Sequence, residues 1–312
     1  MDPDPTPRRH PRPALAIFSA WLLTSLFWSF PLDLISRDSI LHITSGADTE
    51  DRKIGRFDDG RPRVSDDVLE RMKAVTTDEA WGVLRGSGYN FQFEGDWMTL
   101  HPEQILVGRA VTARYVPSRP DLHGIMLAQG EKEGRIGGQN SWVIDTLVEN
   151  DVIVVELFGK VADGTFAGDN LATAIASNTG GTGMVVDGGM RDYQRVSQLE
   201  NFNGYIKGVD PTAIKDVTLT DINGPVRIGR TTVLPGDVVL GTPSGVIFIP
   251  PHLAEAVVER SENVRLRDYF GQMRIREGVY TPGEVDRKWS EKMDADFDQW
   301  QKANPGVNPL AE

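Results

Sequence analysis

The 312-residue chain contains no cysteine, which excludes disulfide bonds, thiolate metal ligands and cysteine nucleophiles. It is also short of positive charge, because 33 lysines and arginines stand against 45 acidic residues and give a formal net charge of −12. Proteins whose main partner is a nucleic acid bind phosphates through clustered Lys and Arg. The composition therefore argues against a nucleic-acid partner. A small anionic substrate stays open, since it responds to the local field of its pocket.

Residues 14–32 form an uncharged, apolar run that follows three arginines and ends before Asp33. A basic flank followed by an apolar segment is typical of a secretory signal peptide or signal anchor, and the run approaches the ~20 residues that span a bilayer. We predict such a leader at residues 1–32, with membrane anchoring through 14–32 if it is not cleaved. The domain would then be exported or membrane-anchored outside the cytoplasm. A mis-assigned start codon or a buried N-terminal helix is the alternative, and the protein would then be cytoplasmic.

The rest of the chain divides into a linker, one globular domain and a tail. Residues 33–64 are polar and interrupted by Gly, Pro and Asp, and we predict a linker there. We predict one mixed α/β domain at 65–265 and a helical, Trp-bearing extension at 266–312 that packs against a partner or forms a lid. Apolar periodicity predicts helices at 66–75, 77–84, 122–129, 253–265 and 282–301, and strands at 105–115, 205–207, 226–228, 238–240 and 245–250.

The middle of the chain predicts a strand, a helix and a second strand in succession. Residues 152–158 (VIVVELF) are continuously apolar, as in a strand buried on both faces. Gly168 introduces a helix that ends before Gly180 and Gly181, and residues 184–187 (MVVD) form the next strand. Two strands joined by one helix are expected to be parallel. The start of the helix should therefore lie at the sheet edge where the second strand ends.

This topology predicts a site in which Gly168, Asp169, Asn170 and Leu171 face Arg191 and Asp192. Free N–H groups at a helix start bind carboxylates, and Gly168 lets a ligand approach the backbone. The planar guanidinium of Arg191 suits a carboxylate or an enolate oxygen, and Asp192 offers an oxygen ligand for Mg²⁺ or Mn²⁺. Together these groups suit a 2-oxo acid chelated to a metal.

Each signal also has a structural interpretation. Gly-Asp at a helix start is commonly only an N-cap, and Arg-Asp after a strand is commonly a surface ion pair. We expect turn or supporting roles for the nearby acids Asp163 and Asp187. Lys160 has the chemistry for a Schiff base, but a lysine at a strand end normally faces solvent.

The run GDNLATAIASNTGGTGMVVDGGMRD at 168–192 resembles the RraA-like family, which includes 4-hydroxy-4-methyl-2-oxoglutarate (HMG) aldolases. Twenty residues separate Asn170 from Arg191, as in the family's motif of an acid or small residue, twenty positions and Arg-Asp. The stretches at 106–115 and 235–250 support the likeness, which covers roughly 65–265. It implies a compact layered α/β/β/α fold with mixed sheets flanked by helices, assembled as a homotrimer or hexamer with sites between subunits.

The resemblance also implies a divalent-metal-dependent lyase that cleaves a C–C bond of a 2-oxo acid through a metal-stabilised pyruvate enolate. HMG aldolase and oxaloacetate decarboxylase activities belong to such enzymes. By position, Arg191 would bind substrate and stabilise the enolate, Asp192 would hold Mg²⁺ (or Mn²⁺) through water, and the amides of Asn170 and Leu171 would bind the pyruvyl carboxylate. A glutamate of the neighbouring subunit would assist, with Glu262 or Glu259 as candidates.

Two departures from the family pattern leave the substrate open. Asn170 replaces the aspartate of the aldolase motif, and residues 241–244 (GTPS) replace an acidic turn. The main alternative function is a non-catalytic regulatory binding protein, since some relatives inhibit a ribonuclease. A methyltransferase is disfavoured, because Gly180, Gly181 and Gly183 follow a helix, whereas a methyl-donor nucleotide loop should follow a strand and open a helix.

Overall fold

A computed structural model describes residues 55–307. The predicted leader at 1–32 and most of the predicted linker fall outside these residues. Within 55–307 no helix combines the length and the apolar character that a membrane span requires. The helices of this range are α1 (Asp66–Met72), α2 (Thr77–Gly86), α3 (Pro120–Lys132), α4 (Gln139–Ile144), α5 (Asp169–Thr179), α6 (Tyr193–Val196), α7 (Pro251–Arg276), α8 (Pro282–Val285) and α9 (Glu291–Ala303).

The strands of the same range form one large mixed sheet and two hairpins. In chain order they are β1 (Gly55–Arg56), β2 (Pro62–Arg63), β3 (Phe93–Glu94), β4 (Met98–Thr99), β5 (Leu106–Pro117), β6 (Asp151–Lys160), β7 (Gly183–Met190), β8 (Asn203–Val209), β9 (Val217–Ile222), β10 (Val226–Ile228), β11 (Thr231–Val233), β12 (Val238–Thr242) and β13 (Gly245–Ile249). The large sheet has the order β3-β13-β12-β5-β6-β7-β8-β4, and β9 also pairs with β5. β1 pairs with β2, and β10 pairs with β11.

The centre of the sheet is parallel, as the strand-helix-strand pattern predicts. β5, β6, β7 and β8 are parallel neighbours, and Val155 of β6 lies opposite Val186 of β7. Strands in this position are covered on both faces, which explains the unbroken apolar run in β6. Its side chains alternate: Ile153 joins a core with α4 and α5, whereas Val154 faces the β10–β11 hairpin.

Helices α1, α2 and α7 enclose a further core against β12 and β13. The molecule is therefore a mixed α/β structure with sheets flanked by helices, as predicted. Ser65 caps α1 by accepting a hydrogen bond from the Val68 amide at 3.3 Å, and Thr76 and Glu79 form a capping box at α2. Sequence patterns missed β1–β4, β9, β11, α4 and α6, most of which are too short to show a period.

The helices of the C-terminal segment begin and end at other residues than the sequence predicts. α7 extends beyond the predicted helix end at Arg265 and runs to Arg276, so one helix spans the boundary between the predicted domain and the extension. The predicted helix over 282–301 is two helices, α8 and α9. Trp289, from the segment between α8 and α9, and Phe297 and Trp300 of α9 pack against Phe270 in the second half of α7.

Residues 55–64 are more than the linker that the sequence predicts, because one of their side chains forms a buried ion pair with the domain. Arg61 is fully buried, and its guanidinium donates to both carboxylate oxygens of Asp151 at 2.8 and 3.0 Å. Burial raises the pKa of Asp151, and the Arg61 charge opposes that shift. The polar, Gly- and Pro-rich composition of this segment gives no sign of the ion pair, because the partner of Arg61 lies ninety residues further along the chain.

Replacing Arg61 with alanine should destabilise the protein by about 3–5 kcal/mol, since the change leaves a buried carboxylate unpaired. The exposed Arg260 provides a matched control, and Arg260→Ala should change stability by about 0.5 kcal/mol or less. Urea denaturation of both variants measures the difference. Equal stabilities for the two variants would contradict the structural role of this pair.

Asp237 is a second buried acid, located in the turn between β11 and β12. Its carboxylate accepts a hydrogen bond from the Leu234 amide at 2.9 Å, and burial raises its pKa to about 7. In the unfolded chain the pKa of the same group is about 4. Between these two values the folded protein retains a proton that the unfolded chain loses, so stability falls as pH rises across this window.

Asp237→Asn should remove this pH-dependent loss, because the amide can accept the Leu234 hydrogen bond without carrying charge. We expect the variant to gain stability relative to the parent protein as pH rises from about 4 to 7, and to keep a constant advantage above that range. Thermal unfolding at a series of pH values tests this. Parallel stability profiles for the two proteins would show that Asp237 does not titrate as described.

Candidate active site

The start of α5 lies beside the end of β7, where the strand-helix-strand pattern places it. The amide of Arg191 donates to the Ala167 carbonyl at 2.9 Å, and the amide of Phe166 donates to the Gly189 carbonyl at 2.8 Å. These bonds align the segment before α5 with the end of β7. Gly168, the N-cap of α5, is thereby held next to Arg191 and Asp192.

Gly168 lies directly against this pair, in space that a side chain would fill. A methyl group added at Gly168 would overlap the Asp192 Oδ2 atom and lie 2.8 Å from Arg191 Cζ. The φ of Gly168 is −122°, an extended value open to every residue. Glycine therefore matters here for the close approach of Asp192 and Arg191, which any side chain at position 168 would displace, and not for backbone conformation.

Arg191 and Asp192 form an ion pair that water can reach. Arg191 Nη1 lies 2.6 Å from Asp192 Oδ2, and their side chains are 33% and 30% exposed. Asp192 has a left-handed φ of 57° and precedes the short helix α6, yet its carboxylate does not cap that helix. Aspartate tolerates this conformation better than most residues. The turn thus directs the carboxylate toward Gly168.

Asp169 and Asn170 occupy the first turn of α5. The carboxylate of Asp169 accepts from the Asn170 amide at 2.9 Å and from Arg195 Nη1 at 3.0 Å. The Arg195 hydrogen bond is the main reason why the pKa of Asp169 lies below its usual value. A substrate carboxylate at the Asn170 amide must therefore replace Asp169. The Leu171 amide belongs to the same turn, whose N–H groups lack partners within the helix.

A cavity of about 560 Å³ opens in front of the ion pair. Val209 pairs with Met190 across β7 and β8, so the residues that follow these two parallel strands share one edge of the sheet. The cavity is of the size that commonly holds small ligands. It is lined by Arg191, Asp192, Tyr193, Gln194, Arg195, Val209, Asp210 and Pro211. None of the predicted residues 168–171 is among these lining residues. Gly168 and Asp169 contact the wall from behind, through Asp192 and Arg195 respectively.

Six of these lining residues were not predicted as site residues. Arg195 follows Asp192 on α6, and Asp210 follows β8, which the sequence predicted as a strand at 205–207. Asp210 could therefore have been predicted as a site residue, because it follows a predicted strand at the carboxyl edge of the sheet. Hydrogen bonds from Thr212, first from its side chain and then from its amide, lower the pKa of Asp210 and keep this second carboxylate ionised.

Among the described residues, no group of three or more histidine and acidic side chains could hold a metal ion by itself. The open cavity is instead lined by two carboxylates, those of Asp192 and Asp210. Mg²⁺ is commonly held in this way, by one or two carboxylates with water and substrate completing its coordination. These donors fit a hydrated Mg²⁺ or Mn²⁺ whose coordination is completed by substrate. They do not fit a metal ion that is held by protein ligands alone.

Glu262 is bound elsewhere within its own chain. Its two carboxylate oxygens accept from Arg71 Nε and Nη2, both at 2.8 Å, and this pairing lowers the pKa of Glu262. It lies on α7, which packs against α1 and α2, and Glu259 is an exposed neighbour on the same helix. The structure does not join either glutamate to Arg191 or Asp192. Assistance from a neighbouring subunit stays a prediction.

The other candidates have structural contacts of their own. Lys160 Nζ donates to the Ala162 carbonyl at 3.1 Å, and Asp163 lies in a turn with a left-handed φ of 59°, 3.7 Å from Lys215. Asp187 is buried in β7, where burial raises its pKa. The described contacts connect none of these three to the ion pair.

A model of the RraA-like family, described as Aldolase/RraA, matches residues 64–248. The chain belongs to this family. A relative described as a putative 4-hydroxy-4-methyl-2-oxoglutarate aldolase, from Halalkalibacterium halodurans, is 31% identical over 145 residues, which are 46% of this chain and 68% of the relative. An uncharacterized protein of Methanocaldococcus jannaschii is 29% identical over 164 residues, covering 51% and 78%.

A solved structure of the RraA family has a fold similar to that of this chain. Streptomyces coelicolor RraAS2, described as an unusual member of the RNase ES inhibitor RraA protein family, superposes with a TM-score of 0.58 at 23% identity. The match covers 67% of this chain and 98% of that one. RraA-like proteins thus share this arrangement of a mixed sheet flanked by helices.

The resemblance implies that pyruvate and Mg²⁺ bind beside Gly168. Gly168→Ala should then weaken the binding of pyruvate in the presence of Mg²⁺ by about tenfold or more, because the added methyl group displaces the Asp192 carboxylate and the Arg191 guanidinium. Titration calorimetry measures the affinity. Gly124→Ala is the matched control, since a methyl group there meets no atom within 4 Å. If both alanine variants bind pyruvate as the parent protein does, the close approach at Gly168 has no role in the site.

Proposed function

We propose that this RraA-like protein is a divalent-metal-dependent lyase that releases pyruvate from a larger 2-oxo acid. HMG-type aldol cleavage and oxaloacetate decarboxylation are the two reactions of this kind that we expect. The observation that carries the proposal is the convergence of the α5 start with Arg191 and Asp192 at the edge of a cavity. The name of the Halalkalibacterium relative supports the same reaction class.

Substrate binding would begin at the first turn of α5. Its N–H groups and the positive end of the helix dipole attract a carboxylate. The amides of Asn170 and Leu171 are the donors that we assign to the pyruvyl carboxylate. Asp169 would release the Asn170 amide and keep its second hydrogen bond, to Arg195.

Asp192 is the residue that we assign to the metal, with water between them. When bound, the metal would supply positive charge beside the keto group of the substrate. Arg191 Nη1 pairs with the Oδ2 atom of Asp192, so a hydrated metal that takes over Oδ2 would displace the guanidinium. Arg191 would then be free to turn its fork of N–H groups toward the substrate.

Arg191 would supply the charge stabilisation for the chemical step. Cleavage beyond the third carbon leaves the electron pair on pyruvate as an enolate, and a guanidinium that faces the enolate oxygen lowers the barrier to this step. The residues that line the cavity include no histidine. We therefore assign the proton transfers to water in the cavity.

A non-catalytic binding role is the alternative, since the Streptomyces coelicolor neighbour belongs to a family described by RNase ES inhibition. A protein that acts only through its outer surface does not require an arginine and a carboxylate packed against a helix start. The close contact of Gly168 with both side chains favours catalysis.

We further propose that the protein assembles as a homotrimer or hexamer, so that Glu262 or Glu259 of one subunit reaches the site of another. Glu262 would have to leave Arg71, which binds both of its oxygens within the chain. Export or membrane anchoring through residues 14–32 is proposed from the sequence alone. Light scattering and membrane fractionation test these two proposals separately.

Arg191→Gln and Asp192→Asn should each lower the rate of pyruvate release from oxaloacetate by about 10²–10³, the typical loss when one charge-stabilising group is removed. Asparagine tolerates the left-handed backbone at position 192, so the fold should survive. EDTA should abolish the activity, and Mg²⁺ or Mn²⁺ should restore it.

The matched control for Asp192→Asn is Asp216→Asn, because Asp216 is an exposed aspartate with a similar left-handed φ of 58°. This control should keep the full rate of pyruvate release. Absence of metal-dependent pyruvate release from oxaloacetate and from HMG would reject the lyase proposal and leave the binding role.

A further inference from the structure

The segment that leads into α5 is buried, although it lies outside the helices and strands. Thr165, Phe166 and Ala167 are each at most 2% exposed, and Gly168 follows them as the N-cap of α5. Buried backbone N–H and C=O groups need hydrogen-bond partners within the protein, because water does not reach them. The partners of this segment therefore determine where α5 starts.

Main-chain groups on the cavity side of the sheet supply several of these partners. The Thr212 carbonyl accepts hydrogen bonds from the amide and the hydroxyl of Thr165, at 3.1 and 2.7 Å. The Phe166 amide donates to the Gly189 carbonyl at 2.8 Å. The segment is thereby tied to β7 and to the loop that follows β8.

The carbonyl of Phe166 has a side chain as its partner. Asn140, in the first turn of α4, donates from Nδ2 to this carbonyl at 2.7 Å and is only 6% exposed. Its Oδ1 accepts from the Ser141 amide at 3.1 Å. Both ends of the side-chain amide are thus used, and an ionised aspartate of the same shape could accept the second bond but not donate the first.

The start of α4 is itself held by the sheet. Gln139 is buried, and its Oε1 accepts from the Leu219 amide of β9 at 2.9 Å. Its backbone carbonyl accepts from the buried hydroxyl of Tyr115 on β5, at 3.1 Å. The Tyr115 ring also packs edge-on against the Phe166 ring, with centroids 6.0 Å apart. Asn140 therefore lies on a helix start that β5 and β9 fix in place.

We propose that Asn140 is a positioning residue for the active site, which holds the start of α5 where its amides bind the substrate carboxylate. The Phe166 carbonyl lies two residues before Gly168, so loss of its bond would let the N-cap of α5 move away from Arg191 and Asp192. The inference rests on the proposed function for the identity of the ligand. Asn140 does not line the cavity and would act only through the backbone.

A role in overall stability is the alternative, and hydrogen exchange of the full-length protein without ligand separates the two. Asn140→Asp should raise the exchange rate of the amides at 165–171 by about tenfold, because a buried carbonyl loses its donor. Exchange in β5 and β6 should stay as in the parent protein. Asn140→Ser is a second variant, uncharged and too short to reach Phe166, in case the buried charge of the first prevents folding.

Asn178→Asp is the matched control. Asn178 lies in the last turn of α5, and its Nδ2 donates to the Ile144 carbonyl at the end of α4, at 3.2 Å. The change removes a bond of the same kind between the same two helices, at the opposite end of α5. Exchange at 165–171 should stay as in the parent protein.

Calorimetry on the same variants measures the affinity for pyruvate in the presence of Mg²⁺. Both Asn140 variants should bind pyruvate about tenfold more weakly than the parent protein, because the groups that contact the ligand are displaced. Asn178→Asp should bind pyruvate as the parent protein does.

Unchanged exchange at 165–171 in the Asn140 variants, or a rise spread evenly over the domain, would overturn the inference. A local rise with parental affinity for pyruvate would overturn it as well. A parent protein that binds no pyruvate, together with a local rise in exchange, would reject the proposed lyase and keep Asn140 as the residue that holds the start of α5.

Discussion

The close contact between the backbone at Gly168 and the side chains of Arg191 and Asp192 is the constraint on which the site depends. It exists because β6 and β7 are parallel neighbours, so that the helix between them starts at the edge where β7 ends. A side chain at position 168 would have to displace the Asp192 carboxylate and the Arg191 guanidinium. The same contact brings a helix dipole, a guanidinium and a carboxylate within reach of one small ligand.

The ion pairs around this contact are of a kind that a bound ligand can replace. Arg191 is paired with Asp192, and Arg195 is paired with Asp169, in a region that water reaches. Exposed ion pairs of this kind are weak, so a metal ion and a carboxylate can replace them at small cost. Asp210 adds a further ionised carboxylate to the cavity. In the proposed function, the acidic groups would attract a cation, and the cation and the arginines together would attract an acid.

Sequence patterns predicted the parallel centre of the fold and the meeting of Gly168 with Arg191 and Asp192. Both could be predicted because a strand that is buried on both faces appears in the sequence as an unbroken apolar run. Arg61 could not be found in this way, since a polar segment rich in Gly and Pro resembles a linker whether or not one of its side chains is buried. Arg195 was missed because an exposed arginine on a one-turn helix has no pattern of its own. The continuous helix α7 was predicted too short, because its second half buries aromatic side chains against α8 and α9 rather than the main sheet.

The central claim is that a metal-chelated 2-oxo acid occupies the space in front of Gly168. A crystal structure with Mn²⁺ and oxalate, a stable analogue of the pyruvate enolate, tests it most directly, because anomalous scattering locates the metal. The account predicts Mn²⁺ beside Asp192, with oxalate contacting Arg191 and the amides of Asn170 and Leu171. Mn²⁺ and oxalate bound elsewhere, with the Arg191–Asp192 pair intact, would contradict it.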